Sequence, residues 1–297
     1  MLSITRRKFC YLVVLNEKFL TQLASDLFLQ IEQVLRLIGI KAYHQKNIAP
    51  QLAKLYIAGA VKHAQIEKSL AQLTDNWSAS KVTLPNLPEP NTINSAAVYF
   101  YDIPQAKQST LLIAHPSLKA NHTDYFNATA MNYILGGGGF SSRLVQQVRA
   151  NKGYTYGIQS EFDATPHSSL FMVKSNVRSN VTLESLVLIK QILEEYQDTF
   201  TTADLITTKN YYLRSDIRRF ETLSAKIALL EQIGTLNLAY NFVQQRNEQV
   251  KTLQVDDIKM FAKQYINPKK LIYVVGDAKS QAKRLRQLDL GEVITLN

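Results

Sequence analysis

Four consecutive glycines followed by an aromatic residue and two serines, Gly136-Gly137-Gly138-Gly139-Phe140-Ser141-Ser142, are the first run in this chain whose residue types suggest chemistry. A phosphate-cradling loop would need a Gly-Lys-Ser/Thr ending, because that lysine and hydroxyl grip the phosphates, and the run lacks it. Gly139-Phe140-Ser141-Ser142-Arg143 also fails to match the Gly-x-Ser-x-Gly elbow that raises a hydrolase nucleophile. Two readings stay open. The run is either a joint between two helices or a substrate-facing loop, in which positions without side chains let another backbone approach closely.

The histidines are His44, His63, His115, His122 and His167. A helical zinc site pairs histidines one turn apart with a carboxylate beside them, and neither His-Glu-x-x-His nor His-x-x-Glu-His occurs. His115 and His122 are seven residues apart, but Pro116 lies between them and breaks helical alignment. A single cysteine, Cys10, excludes an internal disulfide and a cysteine-rich metal site. The sequence therefore predicts no metal site in this chain.

The elements that must position the glycine run are set by periodicity. Residues 96–101 and 110–114 read as strands. Thr123 can cap a helix over 124–135, and Ser141 or Ser142 a second helix ending near Asn151. Residues 154–162 and 170–176 read as a hairpin, and an amphipathic helix opens at Thr182 with Leu183, Leu186, Ile189 and Leu193 on one face. Further helices are expected over 202–236 and 256–265, then a strand over 271–275. Two strands, two helices, two strands, several helices and a last strand make an α+β fold, a mixed sheet with helices packed on one side.

An internal repeat underlies this order. Ile40-Lys41-Ala42-Tyr43 through Ile48-Ala49-Pro50 reappears as Ile258-Lys259-Met260-Phe261 through Ile266-Asn267-Pro268, an offset of 258 − 40 = 218. Each copy then runs into an apolar stretch and a glycine, Leu55-Tyr56-Ile57-Ala58-Gly59 and Ile272-Tyr273-Val274-Val275-Gly276. With the proline-rich residues 85–90 as a linker, residues 1–90 read as the incomplete tail of a first domain and 91–297 as a complete second one. The strand expected over 55–58 would then lack packing partners.

The 297 residues permit about two domains, and 46% apolar with 20% charged residues exclude a disordered or fibrous chain. No apolar run approaches the roughly 18 residues of a membrane-spanning helix. Thr5-Arg6-Arg7-Lys8-Phe9 is similar to a twin-arginine export signal, but its apolar stretch is short and lacks a small-residue cleavage site, which favours a plain basic start. The formal charge of +10 would suit nucleic acid, anionic lipid or acidic peptides. Arg214, Arg218 and Arg219 on a helix, without interleaved aromatic residues, make a weak nucleic-acid surface, so no nucleic-acid partner is expected.

The run from Leu135 through the four glycines to Arg143-Leu144, followed by Gln147-Val148-Arg149 and Gly153-Tyr154-Thr155-Tyr156, resembles the C-terminal domain of the insulinase or pitrilysin family of metallopeptidases, which includes the processing-peptidase subunits. The likeness extends over most of residues 40–297. It implies homologous domains of mixed sheet and helices, with the zinc motif on the first. It also implies that an Arg and a Tyr seven residues apart in the second domain, here Arg149 and Tyr156, hold peptide near the scissile bond beside Gly136, Gly137, Gly138 and Gly139. A guanidinium and a phenol can grip peptide carbonyls and stabilise oxyanion charge. The alternative from the residues themselves has Arg149 against a helix dipole and Tyr156 packed in the sheet.

The same resemblance implies a peptidase-like, substrate-binding half without catalytic residues of its own, inactive alone. Zinc is expected on a partner chain, with that zinc-bearing homologous subunit or self-association as the assembly. A non-catalytic structural or assembly subunit and a truncated relative are the competing readings. The periplasm or cell envelope is the compartment the resemblance favours, and the weak signal segment leaves the cytoplasm open.

Overall fold

The structure, a computed structural model, describes residues 37–77, 82, 95–165, 169–215, 218–266, 272–276 and 278–296. The twin-arginine-like segment, Cys10, residues 85–90 and His167 lie outside these. The described residues fall into two compact units. One holds 37–77 together with Phe220–Gly234, and the other holds the described residues of Glu89–Arg219 and Thr235–Asn297.

The larger unit is built on one mixed sheet of six strands: β1 (Ala97–Phe100), β2 (Gln108–Pro116), β3 (Thr155–Ala164), β4 (Ser169–Arg178), β5 (Ile272–Val275) and β6 (Val293–Thr295), in the order β3-β4-β2-β5-β1-β6. β3, β4, β2 and β5 pair antiparallel in turn, while β5, β1 and β6 run parallel. Burial along β2 shows why it forms. Ser109, Leu111, Ile113 and His115 are all buried, the period-two face of a strand against a core.

Helices α1 (Leu37–Asn47) and α2 (His63–Asn76) belong to the smaller unit. α3 (Tyr125–Asn132) is followed by α4 (Thr182–Thr199), α5 (Thr202–Ser215), α6 (Arg218–Glu221), α7 (Leu223–Leu236), α8 (Phe242–Thr252), α9 (Val255–Tyr265) and α10 (Ala278–Leu285); α6 divides between the two units, α7 belongs to the smaller one up to Gly234, and the others belong to the larger. α4 buries Leu183, Leu186, Ile189, Leu193 and Tyr196, three or four residues apart, so one stripe faces the core. α9 starts at a reciprocal cap in which the Gln254 amide donates to Asp257 Oδ2 at 2.8 Å. Phe100, Phe171, Leu135, Met131 and Tyr196 are among the largest fully buried side chains.

The α+β order stands as the sequence indicates, with α8, α10 and β6 added. Two local differences have physical causes. Thr123 does not cap α3. The helix begins after Asp124, whose backbone is already helical and whose side chain makes no cap bond, because it accepts from the Tyr265 hydroxyl at 2.6 Å instead. Residues 55–58 form no strand. A strand exists only through its ladder, and the described residues of the smaller unit include no strand to pair with it.

Candidate functional site

Around the glycine run, α3 does not end where its periodicity suggests. It continues through a wide, π-helical turn at Tyr133–Gly137, passes a 3₁₀ turn at Gly139–Ser141, and leads into a second π-helical segment, Val145–Asn151. Such turns are rare and gather at functional sites, since the extra residue re-aims the side chains that follow.

The four glycines have different physical reasons. Gly136 is buried, and a Cβ there would fall 2.7 Å from Leu144 Cδ1 as well as into Ser160 on β3, so it permits the helix end to touch the sheet. A Cβ on Gly138 would lie 2.7 Å from the Tyr133 carbonyl. Gly139 has open space around it but a φ of +56°, the left-handed region where a side chain is strained. Ser142, expected as a helix cap, instead donates its hydroxyl to the Gly139 carbonyl at 2.6 Å and closes the turn.

The turn presents Phe140, which is exposed, and the Arg149 guanidinium lies over its ring at 4.8 Å from the centroid. Cation over ring is favourable because the π face is negative. Arg149 sits in the last turn of the second π segment. The chain then reverses at Gly153, whose φ is +61°, and the Gly153 and Tyr154 amides donate back to the Arg149 and Val148 carbonyls at 3.0 and 3.1 Å. Beside this link lies a cleft of about 290 Å³ whose lining includes Lys152, Tyr154, Leu183, Glu184, Val187 and Gln191.

Tyr156 is 91% exposed. It lies in an irregularity of β3 between Thr155 and Ile158, where the pairing with β4 shifts register. Thr155 is buried and Tyr156 exposed, so these two face opposite ways as strand alternation requires; the bulge breaks the alternation at the next residue, leaving Tyr156 and Gly157 outward together before Ile158 turns in. Hydroxyl groups pin the bulge. Thr155 Oγ1 donates to the Asn176 carbonyl at 2.6 Å and accepts from the Gly157 amide at 3.1 Å, while Ser175 Oγ lies 3.0 Å from both Thr155 Oγ1 and the Gly157 carbonyl oxygen. Among the described residues β3 is also the edge of the sheet, and its outer backbone groups face no further strand there.

Arg149 and Tyr156 lie on either side of the Lys152–Gly153 link along the chain, neither is among the residues that line the cleft, and no hydrogen bond or ring contact joins them among the described residues. Phe140, Thr155 and Ser175 are the residues that sequence reasoning did not single out. An aromatic beside four glycines was the available signal for Phe140, while the two hydroxyls carry none, since Thr and Ser are ordinary in strands.

The described residues do not fit a zinc ion. Among the described residues no three His, Cys, Asp or Glu side chains come together as a ligand group. His63 pairs with Glu67, one turn along α2 at 3.5 Å. His115 is buried, donates Nδ1–H to the Pro116 carbonyl at 2.8 Å and tilts against Phe171. Burial holds its pKa below the ordinary histidine range, with that hydrogen bond acting more weakly in the opposite direction.

The peptidase M16 inactive domain matches residues 39–212, and the chain belongs to that family. It is 26% identical to the non-peptidase homolog YmxG of Helicobacter pylori over 163 residues, 54% of this chain and 37% of that protein. It is 23% identical to an uncharacterized zinc protease of Streptomyces coelicolor over 255 residues, 83% of this chain and 55% of that protein. Among solved structures, the peptidase M16 inactive domain from Pseudomonas fluorescens superposes with a TM-score of 0.72 at 24% identity, over 82% of this chain and 57% of that one. A protease from Helicobacter pylori superposes at 0.73 with 18% identity, over 82% of this chain and 60% of that one. The structural likenesses show the fold. The chain spans about half the length of several of these relatives, and what it carries is an inactive, peptidase-like M16 domain.

Proposed function

We propose that this chain binds extended peptide for a zinc-bearing M16 partner chain and performs no hydrolysis itself. The observation that carries the reading is Tyr156: a large aromatic side chain held out to solvent on a bulge that buried hydroxyls fix in place. A solvated strand face would present such a residue without that scaffolding, and the pinned backbone has lost in advance the freedom that binding would otherwise cost. The Tyr156 hydroxyl and the Arg149 guanidinium offer donors to peptide carbonyls, Phe140 and the cleft beside Tyr154 offer apolar surface, and the small Gly137–Gly139 turn admits a second backbone. Gly136 acts from behind, by letting that turn rest on β3.

The test uses a fluorescent, unstructured acidic peptide, the charge class that complements a net +10 chain. Saturable binding is expected, weakened by roughly two- to tenfold in Tyr156→Phe, since a neutral hydrogen bond contributes about 0.5–1.5 kcal/mol, and by roughly tenfold or more in Arg149→Lys, since one from a charged donor contributes about 1.5–3 kcal/mol. Cleavage should need an added zinc-bearing M16 protease and stop with chelator. Absence of saturable binding, or binding unchanged in both folded variants, overturns the peptide role. Chelator-sensitive cleavage by the homogeneous chain alone overturns the division of labour.

A further inference from the structure

The cleft beside the Gly153 reversal carries polar groups as well as apolar surface. One wall comes from the first turns of α4, where Leu183, Val187 and Leu188 present aliphatic side chains; Leu183 is buried, and Val187 is 47% exposed. The other wall comes from the chain on either side of Gly153, through Lys152 and Tyr154. At about 290 Å³ the space lies at the lower limit of ordinary ligand pockets, which suits a single amino-acid residue better than a longer segment.

Charge around the cleft is not balanced. Glu184 lines it, but its Oε1 accepts from Arg284 Nη2 at 2.6 Å, so its charge is already matched. The Lys152 ammonium makes no ion pair or hydrogen bond with another described residue, and the Tyr154 hydroxyl has no partner among them either. Lys152 is exposed, and its long flexible stem can bring the unmatched positive charge to whatever enters. The second oxygen of Glu184, Oε2, is turned away from solvent with no hydrogen-bond partner among the described residues. Such an oxygen is costly to leave unpaired, and the terminal carboxyl torsion is soft, so a donor in the cleft can draw it round while Arg284 stays in reach.

An occupant that satisfies these groups has three parts: an anion for Lys152 and Tyr154, an N–H for Glu184, and a short apolar body for Leu183, Val187 and Leu188. A peptide carries all three within one residue only at its C-terminus, where the α-carboxylate, the amide N–H and the side chain share one Cα. We propose that the cleft captures the C-terminal residue of a bound peptide and prefers an aliphatic side chain there. This rests on the peptide-binding reading above and adds to it an anchor that recognises the chain end. A cationic side chain fits poorly, because it would meet Lys152 beside a Glu184 that Arg284 already holds. A fatty-acid carboxylate would leave Glu184 Oε2 without a donor. A free apolar amino acid shares most of this chemistry, and the test separates the two sources.

The full chain is titrated with the fluorescent acidic peptide ending in leucine, once as the free acid and once as the C-terminal amide. The free acid should bind about tenfold more tightly, the scale of a charge-assisted contact at a partly exposed site. Lys152→Met should make acid and amide bind alike, whereas Lys263→Met, which removes the same charge from the exposed side of α9, should preserve the difference. Methyl NMR locates the contact: N-acetyl-leucine should shift the Val187 and Leu188 methyls, and N-acetyl-leucine amide or octanoate at the same concentration should not. Equal binding of acid and amide by the unmodified chain overturns the anchor and leaves the peptide reading standing; if neither form binds, the peptide reading falls and the anchor with it. A preference for the free acid that survives Lys152→Met, methyl shifts of equal size with octanoate, or tighter binding of free leucine than of N-acetyl-leucine each overturns a chain-end site in this cleft.

Discussion

Gly136 lies so close to Ser160 that a Cβ built on it would run into the serine Oγ and fall 2.6 Å from its amide nitrogen. Asn132, one turn earlier, completes the junction: its Nδ2 donates to the Ser160 carbonyl at 2.8 Å, and the Ser160 hydroxyl donates to its Oδ1. The π-helical end of α3 is thus docked on β3 by a buried reciprocal pair that only a glycine neighbour can accommodate.

Gly136→Ala should cost about 1–3 kcal/mol, the usual penalty of overpacking, because backbone on β3 cannot yield as a flexible side chain would. Gly139→Ala meets no atoms within 4 Å and should cost only about 1 kcal/mol, for its positive φ. Urea unfolding of the two variants checks the order, and equal losses would contradict it.

Thr155→Val removes the hydroxyl that ties Asn176 and Gly157 into the bulge while keeping the side-chain shape. Stability should fall by about 1–3 kcal/mol, since buried donors and acceptors are left unpaired. Tyr156→Ala, by contrast, should change stability by less than about 0.5 kcal/mol, as expected for an exposed side chain. If peptide binding responds to both, the bulge matters through the way it presents Tyr156; thermal unfolding alongside anisotropy separates the two effects.

Arg143 joins the glycine turn to the α4–α5 corner. It donates to the Thr199 hydroxyl and carbonyl and to Asp204 Oδ2 at 2.7 Å, and it lies 5.0 Å from the Tyr196 ring centre. Both charged side chains are largely covered, so the pair is worth more than a surface ion pair. Arg143→Lys keeps the charge but loses the planar fork, and should destabilise by about 1–2 kcal/mol in chemical denaturation.

His115 gives a pH dependence with a definite sign. Its folded pKa is below the ordinary value, so the unfolded chain binds a proton first as pH falls. Its contribution is fully present above about pH 6.5, the unfolded value, and is lost as pH falls toward the depressed folded one. His115→Phe should flatten that part of the stability profile, measured by urea midpoints between pH 7.5 and 5. An unchanged slope would place the acid sensitivity elsewhere.

The amino-acid sequence by itself determined the order of most elements and the repeat, because both reside in local periodicity and in residues that recur along the chain. The stripe Leu183, Leu186, Ile189 and Leu193 must face a core wherever α4 packs, and the structure buries all four. The family likeness was legible for the same reason, since the glycine run and the Arg-Tyr spacing are linear features. Tertiary structure alone decided what those residues do. Whether residues 55–58 become a strand depends on partners distant in sequence: β5 has them and, among the described residues, its counterpart does not, although the two stretches are alike. The four glycines look interchangeable in a string, but contact with Ser160 makes one a packing residue and a left-handed φ makes another a turn. The bulge after Tyr156 was not legible either, because alternation fails only at Gly157, and that bulge is held by hydroxyls on two strands that meet only in the folded sheet.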